Sequence, residues 1–134
     1  KVRRVVASLK GKGLSEEQVR DLVRVVAPMM TWELEELEAK WRELKNLMGK
    51  KDIVEEVVAY PAILSFSLEK RIRPRNKFYR MKRLAERGLD PGWELKDVIG
   101  KSDSEFVEKL GAGTTMEEYT EFAKQYTRPK RRPR

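Results

Sequence analysis

The stretch YPAILSFSLEKRIRPR, Tyr60 to Arg75, decides the fold. It opens on an apolar run hinged at Pro61, with Ile63 and Leu64 behind it. Within a few residues it becomes Arg71, Arg73 and Arg75 around a second proline, Pro74. One end of a short segment is suited to burial and the other to water or an anion. Ser67 stands at the change. Its hydroxyl is an N-cap acceptor, and Leu68, Ile72, Phe78, Met81 and Leu84 follow at helical spacing up to Gly88. Pro61 in turn closes a short apolar helix of Ile53, Val54, Val57 and Val58.

The same order recurs upstream. SEEQ, Ser15 to Gln18, is a capping box opening a helix with Val19, Leu22, Val23 and Val26. That helix ends near Ala27, ahead of Pro28, and Met29 and Met30 then form a small apolar cluster after the proline, as Ile63 and Leu64 do after Pro61. Thr31 is the N-cap expected for a long helix, whose stripe of Leu34, Leu37, Trp41, Leu44 and Met48 ends at Gly49. Pro28 and Pro61 lie 33 residues apart. Two helices per unit with a period in the thirties mark a helical solenoid. No run alternates strictly between bounding turns as a strand does. The predicted fold is therefore all-α, a helical-repeat solenoid.

Downstream, GLDPGW reads as a turn and SDSE, Ser102 to Glu105, as a capping box before Phe106, Val107 and Leu110. GAGTT is a joint. Thr115 and Glu118 cap a last helix bearing Tyr119, Phe122, Ala123 and Tyr126. Residues 1–126 are expected to form the repeat domain. Residues 127–134, ending RPKRRPR, are expected to be a disordered basic tail, either a functional arm or a solubilising end. The opening KVRRVVASLK enters a helical pattern directly, so the chain is expected to start inside a longer protein.

Composition narrows the function. Of 134 residues, 40% are hydrophobic and 39% charged, which gives a thin core under much solvated surface, as in stacked repeats. The net charge of +8 and pI of about 9.8 point to an acidic partner: nucleic acid, an anionic membrane surface or an acidic protein. Cys and His are absent. That excludes a disulfide framework, thiolate zinc and thiol catalysis, and it removes the usual metal ligands and general base. Carboxylates and lysines are not grouped into a site. No enzyme activity, cofactor or metal is expected, and no apolar run approaches the roughly 20 residues of a membrane span.

Charge is unevenly spread. Nine of the 30 Lys and Arg fall between Lys70 and Arg87, against Glu86 alone. On a helix, Arg73, Lys77 and Arg80 share one face; Arg71, Arg75, Lys82 and Arg83 flank it, while Ile72, Phe78, Met81 and Leu84 turn to the core. Pro74 should bend this helix. A bend repeated in each unit would curve the solenoid and leave a concave side for a phosphate backbone. The alternative is a solvated face whose Lys and Arg stems cover apolar neighbours. Glu33, Glu35, Glu36, Glu38 and Glu43 make the preceding long helix acidic, either as a convex outer surface or as a partner for basic residues of a neighbouring unit. Trp32, Trp41 and Trp93 read as core or interface residues. No RNA-recognition sheet motif, zinc-finger spacing, Walker loop or helix-turn-helix signature is present.

At VVAYPAILSFSLEKRIRPR the sequence resembles the mitochondrial transcription termination factor (mTERF) family in its plant-like form. The elements are an apolar helix, Pro61 with Ile63 and Leu64, then Ser67-Leu68-Glu69 and the run Arg71-Ile72-Arg73-Pro74-Arg75. Asp52 to Leu110 carries the best match, and the unit around Pro28 a degenerate one. The resemblance implies repeats of two α-helices and a short 3₁₀ helix, stacked into a left-handed superhelix with a basic groove. It also implies work in mitochondria or chloroplasts on double-stranded DNA or RNA, in transcription termination, transcript maturation, splicing or ribosome assembly. Carried onto this chain, it makes Arg73, Arg75, Lys77 and Arg80 groove candidates, with Pro28, Pro61, Leu64 and Pro74 as structural repeat positions. A monomeric nucleic-acid-binding module is expected. The alternative is a scaffold whose glutamate-rich helix and apolar grooves hold an organellar protein partner; a third reading is attachment to an anionic membrane surface.

Overall fold

Two proline-led turns organise the chain. The computed structural model describes residues 2–29, 33–49, 51–83, 88–111 and 113–127. Its α-helices are α1 (Val2–Gly11), α2 (Glu16–Val26), α3 (Leu34–Met48), α4 (Ile53–Ala59), α5 (Arg73–Arg83), α6 (Asp103–Leu110) and α7 (Met116–Thr127). No strand occurs among the described residues. A 3₁₀ turn at Ala27–Met29, holding Pro28, joins α2 to the approach to α3. A second at Pro61–Ser65 follows α4 and precedes the helix that becomes α5. The expected unit of helix, proline turn and long helix is thus present twice. Pro61 occupies the first turn, where a missing N–H costs nothing. Ile63 and Leu64 behind it are fully buried.

Local signals set the helix starts. Ser15 and Ser102 form reciprocal capping boxes with Gln18 and Glu105. Asp52 caps α4 through the N–H of Val54 at 2.9 Å. Ser67 Oγ accepts from the N–H of Lys70, and Thr115 Oγ1 from that of Glu118, each at 3.1 Å. The expected roles of Thr31, Met30, Trp32 and Leu84, and the basic segment 128–134, lie outside the described residues.

Ahead of Pro74, where a bend was expected, the chain forms a π turn, Leu68–Ile72, that runs straight into α5. The Ile72 N–H reaches back five residues to the Ser67 carbonyl at 3.0 Å, and the Arg73 N–H to that of Leu68. Pro74 has no N–H to donate, and its ring would press on the carbonyl four residues back. A turn wider by one residue relieves that crowding. No such break occurs in α3, which is α-helical from Leu34 to Met48.

One contiguous core runs through all the helices, from Val5 and Leu9 to Phe106 and Tyr119. Phe78 is its pivot, with ring centroids 5.0 Å from Tyr119, 5.2 Å from Phe122 and 6.3 Å from Phe106. Burying one such side chain stabilises by roughly 1.5–3 kcal/mol. Tyr79, also fully buried, meets Trp93 edge-on at 4.9 Å, and its hydroxyl accepts from the Asp90 N–H at 2.9 Å. Met81, expected in this core, is 46% exposed. The buried face of α5 is centred on Arg75, Phe78 and Tyr79, which places Met81 on the opposite side, one turn after Lys77. Gly88 is buried under the end of α3 with φ of 105°; a Cβ there would lie 2.3 Å from the Met48 carbonyl oxygen. Only glycine permits that approach.

Candidate nucleic-acid interface

The cations of residues 71–83 divide into two sets on opposite sides of one helix. Arg73, Lys77 and Arg80 occupy one side at four- and three-residue spacing, an edge about 10 Å long. Lys70, in the π turn before it, is exposed. This edge lies along α3. Arg80 Nη1 donates to the Asn46 carbonyl at 3.1 Å and to Asn46 Oδ1 at 2.7 Å. Glu43 faces the other two: its Oε2 is 3.9 Å from Arg73 Nε and its Oε1 is 3.7 Å from Lys77 Nζ. Arg73 also donates to Glu69, one turn earlier on its own helix. Behind the edge, fully buried Asn76 donates its amide to Glu43 Oε1 at 3.0 Å and to Asn46 Oδ1 at 3.1 Å.

The other set faces the following unit. Arg75 is 0% exposed. Its Nη1 donates to the carbonyls of Val98 at 3.1 Å and Ile99 at 3.2 Å, and to that of Lys101; its Nη2 reaches Asp103 Oδ1 at 2.5 Å. Its guanidinium sits 5.3 Å from the centre of the Phe106 ring. Arg71, one turn earlier, donates to the Ile99 carbonyl at 3.2 Å and stacks 4.5 Å over Phe66. Burial first, and then the charge of Arg75, push the Arg71 pKa down. The carbonyls so held end a π turn, Lys96–Gly100, where no further N–H of the helix is available to them. A helix end of this kind is also where positive charge is favoured. Arg75 was expected to line a groove. It is instead a core residue, because these carbonyls need a donor that the local backbone does not supply.

Lys82 pairs with Glu118 of α7 and lies 5.8 Å over Phe78. Arg83 Nε donates to Asp90 Oδ2 at 2.8 Å, a bond that raises its pKa, and its guanidinium covers Trp93. Lys82, two residues past Arg80, lies on the inward side of the helix, and neither residue joins the outward edge.

The acidic helix α3 is partly turned inward, the second of the two arrangements expected for it. Glu38 accepts from Ser8 of α1 and from Lys12 just after it, bonds that hold its carboxyl below the usual range, and Glu43 is engaged by α5. Lys40, within the apolar stripe, is buried; its Nζ donates to the Leu64 carbonyl at 2.8 Å and lies 3.4 Å from Glu36. It ties the long helix of the first unit to the proline turn of the second. Its place three residues after Leu37, with Glu36 one turn before, was a readable signal that the sequence reading missed. Among the described residues no group of three or more carboxylates is placed to hold a metal, and no helix is long and apolar enough to cross a membrane.

Stacked helix–turn–helix units define a helical-repeat protein. A family model described as mTERF matches residues 1–107 of the 134, and the chain belongs to the mTERF family. The match takes in the unit around Pro28 and stops inside α6, so α7 lies beyond it. The family is in general one of organellar, non-enzymatic, nucleic-acid-binding helical-repeat proteins. No curated protein and no solved structure matches the chain.

Proposed function

We propose that this chain is a nucleic-acid-binding module of a mitochondrion or chloroplast, acting in transcription termination or regulation or in transcript processing on double-stranded DNA or RNA. One observation carries the reading. Arg73, Lys77 and Arg80 stand on successive turns along a single edge, opposed only by Glu43 and Glu69 among the described carboxylates in ion-pair contact with them. Such an edge contacts successive phosphates and releases their counterions. Lys82 and Arg83 are paired with Glu118 and Asp90, while Arg71 and Arg75 hold the next unit in place. The module is proposed as residues 1–126, monomeric, and the last residues as a basic tail whose Arg128, Lys130, Arg131, Arg132 and Arg134 add to the attraction. A scaffold role on the glutamate-rich helix has less to offer a partner, since Glu38 and Glu43 are already engaged within the chain.

The test is binding to duplex DNA and to single-stranded RNA of matched sequence across a salt series. Replacing Arg73, Lys77 and Arg80 together by Ala should flatten the slope of log affinity against log salt by roughly 2 to 3. An unchanged slope removes this edge from the binding surface.

A further inference from the structure

Glu43 stands in the middle of the cationic edge, in a place a phosphate-binding surface has reason to avoid. Its side chain is 13% exposed, and it is held from behind by the Asn76 amide at 3.0 Å. Its distances to Arg73 and Lys77, 3.9 and 3.7 Å, lie beyond hydrogen-bond range. The carboxylate therefore opposes both charges without taking up the N–H donors it faces. Lys77 keeps 44% and Arg73 31% of its side chain exposed. Arg80 bonds to neutral Asn46.

Resting on the proposed function, we infer that Glu43 is a specificity-setting residue of this edge. It lowers the field that any anion meets there and keeps Arg73 and Lys77 gathered beside α3. An isolated anion gains from one cation and is repelled by the carboxylate. A phosphodiester chain gains from Arg73, Lys77 and Arg80 together and overcomes it. Glu43 thus sets how much charge density a ligand must bring, and Asn76 is the positioning residue that holds the carboxylate in place.

The experiment uses the whole chain, duplex DNA and single-stranded RNA of matched sequence, and the same salt series. Glu43→Gln keeps an acceptor for Asn76 and removes the charge. A carboxylate some 6 Å from a bound phosphate in a solvated setting weakens binding by about 3- to 10-fold. Glu43→Gln should therefore tighten binding by about that factor at fixed salt. Asn46→Glu adds a second carboxylate at an exposed position of the same seam and should weaken binding by a comparable factor. Because Asn46 is exposed, that variant keeps the test open should Glu43→Gln fold poorly, and a thermal melt reports the fold of each. If the Arg73, Lys77 and Arg80 triple variant loses binding while neither carboxylate variant moves affinity in its stated direction, the inference fails and the proposed function stands. If the triple variant binds like the parent, both fail.

Discussion

Arg73 and Arg75 stand two residues apart on one helix and live in different chemistries. Arg73 is part-exposed beside Glu43 and Glu69; Arg75 is sealed from water, its guanidinium shared among three carbonyls and Asp103. The comparison teaches that a basic run is not a basic surface. One side of this helix offers charge to a ligand, and the other spends it on the backbone of the following unit. The opening segment is therefore apolar and cationic for two reasons: Ile63 and Leu64 anchor it to the unit before, and Arg71 and Arg75 fasten it to the unit after.

The sharpest way to break that contrast is to remove the buried arginine. Arg75→Ala leaves the carbonyls of Val98, Ile99 and Lys101 without their donor and should cost about 3–5 kcal/mol in denaturant unfolding. Arg75→Lys should recover only part of this, because one ammonium cannot reproduce the guanidinium fork. A loss below about 1 kcal/mol would show that the inward set is dispensable. Gly88→Ala comes next: its Cβ would meet the Met48 carbonyl at 2.3 Å, and the positive φ adds strain, so about 1–3 kcal/mol should be lost. On the outward side the balance reverses. The Arg73, Lys77 and Arg80 triple variant should lose only about 1 kcal/mol of stability while its salt slope of binding flattens by roughly 2 to 3. The smallest effect belongs to Lys82→Ala, which breaks an accessible pair with Glu118 and should change the unfolding free energy by about 0.2–1 kcal/mol.

The fold was legible because its signals are local. Ser15, Ser67, Ser102 and Thr115 act within three residues of themselves, and Pro28 and Pro61 act on their own turns. The edge was half legible. Spacing placed Arg73, Lys77 and Arg80 together, and the described positions of all three agree with it. The fate of Arg75 was not, because its main partners are backbone carbonyls 23 to 26 residues away, which no residue type advertises. Its position three residues before Phe78 and four before Tyr79 nevertheless marks the buried side. Met81 misled for the mirror reason: it is apolar, but Arg75 and Tyr79, not it, complete the face around Phe78.

The π turn ahead of Pro74 has a consequence for phase. Each residue of an α-helix advances about 100° around the axis. One extra residue in the turn Leu68–Ile72 therefore offsets the first turn of this helix from all that follows. Deleting a residue there would keep the helix and its composition yet swing Leu68 and the proline turn out of step with Phe78 and Arg75. The insertion works like an offset between two gears on a common shaft: it lets one rod mesh with the unit before it and the unit after it, each at its own angle.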